Sequence, residues 1–202
     1  MRVVVVDTGM GNVRSVMHAL ERAGVTATHT RDHAAITSAD RIVVPGQGHF
    51  GDCARAFDGA VGDSVRSFLA TERPYLGICL GMQILFDESD EAPGLRGLGI
   101  VSGKVRRFPA GMHAPDASAL KVPHMGWSSV KSTHPFVDDG AWLYFVHSFY
   151  CDPADARDSV IRAEHGVPFT AAIARGNLFG CQFHPEKSQD AGATLLSRFL
   201  TS

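Results

Sequence analysis

Four consecutive valines between Arg2 and Asp7 begin the chain, and so short a β-branched run predicts a buried strand over residues 2–6. After a glycine-bearing turn, Val13, Val16, Met17 and Leu20 recur at the spacing of one helix face, with Asn12 placed to cap the start and Gly24 to end it. VTATHT (25–30) and RIVV (41–44) predict two more strands, the second broken by Pro45 and Gly46. Val61, Val65, Phe68 and Leu69 mark another amphipathic helix, and YLGI (75–78) the next strand. Alternation of this kind is the pattern of βαβ units on a parallel sheet.

The second half changes character. GIVSGKVRRF, WSSV, AWLYFVHSF, SVIRAE, FTAAIA and LFGCQF are strand-like pieces joined by short turns, and a helix closes the chain around residues 194–200. Together these elements predict an α/β fold whose open, largely parallel, flavodoxin-like central sheet is flanked by helices and extended by antiparallel strands. With 202 residues, 45% of them apolar, and no repeat or linker, one domain spanning 1–202 is expected.

Charge and cysteine usage narrow the functional classes. The 19 basic and 21 acidic side chains are mixed along the chain and sum to a net charge of -2, so no cationic surface for nucleic acid is expected. The apolar start runs for four residues before Asp7, far short of a signal or membrane segment, so a cytoplasmic protein without membrane contact is expected. Cys53, Cys79, Cys151 and Cys181 are irregularly spaced with no Cys-x-x-Cys pair, and are read as reduced thiols. No Cys/His cluster has metal-ligand spacing, and DTGMGNVRS departs from the dinucleotide fingerprint at Arg14. Neither a metal nor a cofactor is expected.

The candidate chemistry begins at GICLGMQ (77–83), where Cys79 stands between an apolar strand and a predicted helix. At that corner a thiolate faces the positive end of a helix dipole, and the following amide can donate to an oxyanion. Gly77 and Gly81 supply positions without a Cβ, for a strained turn and for close approach of backbone to substrate. The plain alternative is a small buried thiol, and a base decides between the two. QFHPEKS (182–188) offers one: in an extended segment His184 and Glu186 point to one face, stiffened by Pro185, so the carboxylate can orient the imidazole. Nucleophile, base and orienter are then all present.

PGQG (45–48) follows a strand end, where ligands gather in open α/β sheets, and its glycines can turn amides toward developing negative charge; a simple tight turn is the other reading. Cys53, Cys151 and Cys181 lack the glycine corner and are assigned to packing. His18, His29, His33, His49, His113, His134 and His165 have no supporting context.

In chain order, PGQG, GICLGMQ and QFHPE resemble the class I (triad-type) glutamine amidotransferases, over essentially the whole chain. DTGMGNVRSV, KVPHMGW (121–127), YFVHSF (144–149) and HPEKSQDAG resemble more narrowly the glutaminase subunits of imidazole glycerol phosphate synthases. The resemblance implies that Cys79 attacks the carboxamide of glutamine, that His184 protonates the leaving ammonia, and that Glu186 holds His184. It also implies oxyanion donors at Leu80 and within Gly46 to Gly48, and glutamine contacts from Gln83 and the backbone around Ser148 and Phe149. The implied partner is a (β/α)₈-barrel cyclase subunit that consumes the ammonia, facing Asn12, Met125, Trp127, Tyr144 and Lys187. Departures from the family pattern are Thr8, Gln47 and Phe149. Other amidotransferase subunits fit PHMGW and FVHSF less well, and a catalytically silent relative does not fit an intact Cys79, His184 and Glu186.

Overall fold

The computed structural model describes residues 1–114 and 116–202. Its first half alternates strand and helix: β1 (Val3–Val6), α1 (Val13–Arg22), β2 (Thr28–Thr30), α2 (His33–Ser38), β3 (Arg41–Gly46), α3 (Phe50–Ala56), α4 (Ala60–Leu69), β4 (Tyr75–Cys79) and α5 (Leu80–Gln83). The second half is mostly strand: β5 (Glu88–Ser89), β6 (Gly103–Arg107), β7 (His124–Ser129), β8 (Lys131–Ser132), β9 (Trp142–His147), β10 (Phe149–Pro153), β11 (Ser159–His165), β12 (Val167–Arg175) and β13 (Leu178–Cys181), closed by α6 (Gln189–Thr201).

The strands order as β2-β1-β3-β4-β13-β12-β10-β6-β5, with β11 paired to β12 and β8. From β2 to β13 every pairing is parallel, which is the doubly wound order 2-1-3-4-5 with β13 as its fifth strand. The pairings around β12 are antiparallel. Consecutive side chains of β1 point to opposite faces: Val3 and Val5 join one core with Leu20 of α1 and Leu195 and Phe199 of α6. Val4 and Val6 join another with Ile36, Phe50, Val65 and Phe68 from α2 to α4. A strand buried on both faces is thereby explained.

Several boundaries differ from the sequence reading. β3 does not stop at Val44 but continues through Pro45 and Gly46. Its pairing with β1 ends at Val43, so the missing N–H of Pro45 costs no bond to that neighbour. β2 forms only over its last three residues. Residues 141–149 are not one strand: the chain leaves β9, which pairs only with β7, and after Ser148 enters β10 in the main sheet. That change of sheet brings Ser148 and Phe149 to the edge of a cleft. The closing helix starts at Gln189, earlier than its apolar residues indicate. Among the described residues no helix is long and apolar enough to cross a membrane.

Candidate active site

β3, β4 and β13 end together. Gly46 lies opposite Cys79, and Cys181 opposite Ile78, so three adjacent strands deliver their following residues to one place. Cys79 has φ 55° and ψ -107°, a left-handed conformation that costs a non-glycine residue about 1–3 kcal/mol and marks a nucleophile elbow.

Gly77 and Gly81 have ordinary φ, and their role differs from the one expected. A Cβ on Gly77 would meet the Gly81 carbonyl oxygen at 2.4 Å, and one on Gly81 would meet the Val44 carbonyl oxygen at 1.8 Å. Backbone packed on backbone, rather than on substrate, is what excludes a side chain there. The helix dipole is also less than expected, because α5 is a single turn of four residues. Local amides around Leu80, not a long helix, supply the positive field.

His184 and Glu186 meet as foreseen, but not on an extended segment. Pro185–Lys187 form a 3₁₀ turn that folds Glu186 back, and its Oε1 lies 2.8 Å from His184 Nδ1, both side chains almost fully buried. The backbone N–H of His184 donates to the Tyr144 carbonyl at 2.9 Å, and Ser188 Oγ donates to the His184 carbonyl at 2.7 Å. β9 thus clamps the base. Burial disfavours the imidazolium, but the neighbouring Cys79 and the Glu186 carboxylate bonded to Nδ1 outweigh it and push the His184 pKa up to about 9, while Nε2 makes no hydrogen bond within the protein. Burial instead raises the thiol pKa of Cys53 to about 12 and raises those of Cys151 and Cys181, which agrees with packing roles for those three.

Cys79 opens into a cleft of about 460 Å³ whose walls include Gln47, Gly48, Leu80, Gln83, Met125, Tyr144, Ser148, Phe149 and Lys187. Most of the sequence-derived site residues therefore share one cavity. Gly46 lies instead inside β3 against Leu80, Asn12 caps α1 by accepting from the Ser15 N–H at 3.4 Å, and Trp127 stands exposed beside Tyr144. A separate cavity of about 510 Å³ lies behind Glu186, between α1 and α6. No cysteine is among its lining residues.

Four further residues at the site carry chemistry that the sequence reading did not assign. Glu91 lines the cleft and accepts the Phe50 N–H at 2.7 Å. Gln182 reaches Cys79 itself, its Nε2 lying 3.4 Å from Sγ. His147 Nδ1 donates to the Phe149 carbonyl at 2.9 Å, and its Nε2 faces His124 Nδ1 at 3.2 Å. Burial lowers the pKa of His147 to about 3 and that of His124 to about 4, so both are neutral supports for the cleft wall. His124, His147 and Gln182 all lie within motifs the sequence already singles out. Gln182 was detectable by applying the strand-end rule to β13 as well as to β3.

A glutamine amidotransferase class-I family model matches residues 4–202. The chain is 45% identical to the imidazole glycerol phosphate synthase subunit HisH of Methylococcus capsulatus, covering 98% of this chain and 95% of that protein. Its identity to the corresponding subunit of Nitrosospira multiformis is 46%, covering 98% and 96%. Among solved structures, a crystal structure described as a glutamine amidotransferase superposes with a TM-score of 0.76 at 20% identity, covering 98% of this chain and 97% of that one. The structure of PurLQS from Thermotoga maritima gives 0.76 at 19% identity, covering 99% and 97%. The superpositions establish the fold.

Proposed function

Because the chain belongs to the class-I glutamine amidotransferase family and, within it, to the HisH subunits of imidazole glycerol phosphate synthase, we propose that it releases ammonia from glutamine through a thioester on Cys79. The ammonia passes to a (β/α)₈-barrel cyclase subunit in the cytoplasm, where it enters histidine biosynthesis. The observation that carries this reading is the buried His184–Glu186 pair at 2.8 Å beside an elbow cysteine that faces a cleft.

The geometry supports a sequence of steps. Cys79 Sγ adds to the carboxamide carbon of glutamine, and the carbonyl electron pair moves onto oxygen. The Leu80 amide and an amide of the Gly46 to Gly48 segment donate to that oxyanion. With its pKa at about 9, His184 carries a proton at neutral pH. It gives this proton to the amine as the C–N bond breaks, so ammonia leaves and a glutamyl thioester remains. Water, deprotonated by His184, then attacks the thioester carbon, and Cys79 departs as thiolate. Gln83 lends Nε2 to the Phe149 carbonyl and to Gln182 Oε1, which leaves its own Oε1 for substrate hydrogens at the cleft wall.

On the face beside the cleft, Met125 and Trp127 of β7 and Trp142 of β9 are large apolar side chains left in solvent. Exposed Met and Trp side chains on one two-stranded ribbon suit a protein interface. Met125 also lines the cleft, so the partner there would adjoin the ammonia source.

The test is Cys79→Ala in the complex with a cyclase barrel. Glutamine-dependent synthesis should fall to background, by on the order of 10⁶-fold, while synthesis from added ammonium persists. Loss of both activities would contradict a division of labour between two polypeptides.

A further inference from the structure

The parallel register of β13 on β4 ends with Cys181 opposite Ile78, so Gln182 comes to stand beside Cys79. Its backbone N–H donates to the Ala171 carbonyl at 2.8 Å, which fixes the main chain. Its side chain is fully buried, yet it bonds only within the site: Nε2 reaches Cys79 Sγ at 3.4 Å, and Oε1 accepts from Gln83 Nε2 at 3.0 Å.

The orientation of this amide is dictated from outside it. The Phe149 carbonyl can only accept, and it is approached by Gln83 at 3.2 Å. The Gln83 atom that does so must therefore be the NH₂ group. The same atom contacts Gln182, so Gln182 must offer its oxygen there, and its NH₂ necessarily faces sulfur. His147 Nδ1 donates to the same Phe149 carbonyl at 2.9 Å and holds that end of the chain of bonds in place.

We propose that Gln182 is a further catalytic residue, whose carboxamide N–H donates to Cys79 Sγ and stabilises the thiolate. A thiolate is a far better acceptor than a thiol, so a fixed donor favours the ionised nucleophile. The same bond receives negative charge when the tetrahedral intermediate of thioester hydrolysis collapses: the C–S bond breaks, its electron pair stays on sulfur, and glutamate is freed. This role rests on the thioester chemistry proposed above.

The experiment measures alkylation of Cys79 by iodoacetamide as a function of pH, for the whole chain and for Gln182→Met and Gln182→Glu, with folding checked by denaturant titration. Of the four cysteines only Cys79 lines the cleft, and burial raises the thiol pKa of Cys53, Cys151 and Cys181, so the reaction reports on one sulfur. With Gln182→Met the midpoint of alkylation should rise by about one pH unit, equivalent to tenfold less thiolate at a fixed pH below it. Gln182→Glu keeps the shape and the bond from Gln83 but turns an oxygen to the sulfur, so its midpoint should rise further. An unchanged midpoint in either folded variant overturns the proposal. Alkylation needs no glutamine, so a chain that proves not to be a glutaminase would be recognised separately, by absence of glutamate release in the unmutated protein.

Discussion

The Tyr75 hydroxyl donates to the Gly81 carbonyl oxygen at 2.6 Å, in a fully buried contact that spans the elbow from the first residue of β4 to the turn after Cys79. It braces the strained corner from behind, where no substrate reaches. Tyr75→Phe removes the donor and leaves a buried carbonyl unpaired, at a cost of about 1–3 kcal/mol. We expect denaturant titration to show that loss, together with a lower kcat and little change in KM. Unchanged stability would remove the brace from the explanation of the elbow.

Two glycines at the site should respond in opposite ways to alanine. Gly81→Ala drives a Cβ to within 1.8 Å of the Val44 carbonyl oxygen, in a neighbouring strand that cannot withdraw. The expected destabilisation is about 3 kcal/mol or more. Gly48 has open space around it but a φ of 118°, so Gly48→Ala strains only the candidate oxyanion loop. Its melting temperature should stay near that of the unmutated chain while glutaminase turnover falls, which calorimetry and a glutamate assay would separate.

Glu186→Gln should displace the alkaline limb of the pH profile. The Glu186 carboxylate, which accepts from His184 Nδ1, and the neighbouring Cys79 hold the His184 pKa at about 9, against the lowering by burial. Loss of the carboxylate removes one support, so the imidazolium deprotonates at lower pH. Because that proton is the one given to ammonia, kcat should begin to fall at a lower pH in the variant. Turnover at neutral pH should drop roughly 10- to 100-fold, less than the loss for His184→Ala. A profile that keeps its limb would show that Glu186 does not tune the base.

His147 makes a separate claim about acid stability. Its pKa in the folded chain is about 3, against 6.5 when unperturbed, because burial excludes the charged form. The unfolded chain therefore takes up a proton that the folded chain refuses. Stability from this group is intact above pH 6.5 and is lost as pH falls toward 3, at about 1.4 kcal/mol per pH unit. Urea titrations between pH 4 and 7 should show a shallower slope for His147→Gln. An identical slope would place the acid sensitivity elsewhere.

How much of this was legible in the sequence depended on the range of the interactions. Val3 to Val6, the α1 face and the Cys79 corner are local patterns, and each appears where periodicity and glycine placement put it. The His184–Glu186 contact was foreseen for residues that are close in sequence, but through the wrong local geometry, since a turn replaces the extended segment. β10 was hidden because AWLYFVHSF reads as one apolar run, and only pairing with two different sheets divides it at Ser148. Gln182 and Glu91 act through partners more than 40 residues away, and a linear reading assigns no role to a glutamine whose function is set by a distant strand.

The most direct measurement is glutamate release from glutamine by this chain, alone and mixed with a cyclase barrel and its nucleotide. Strong release only in the mixture is the expected result. Full turnover by the lone chain, unaffected by the barrel, would contradict a gated ammonia donor.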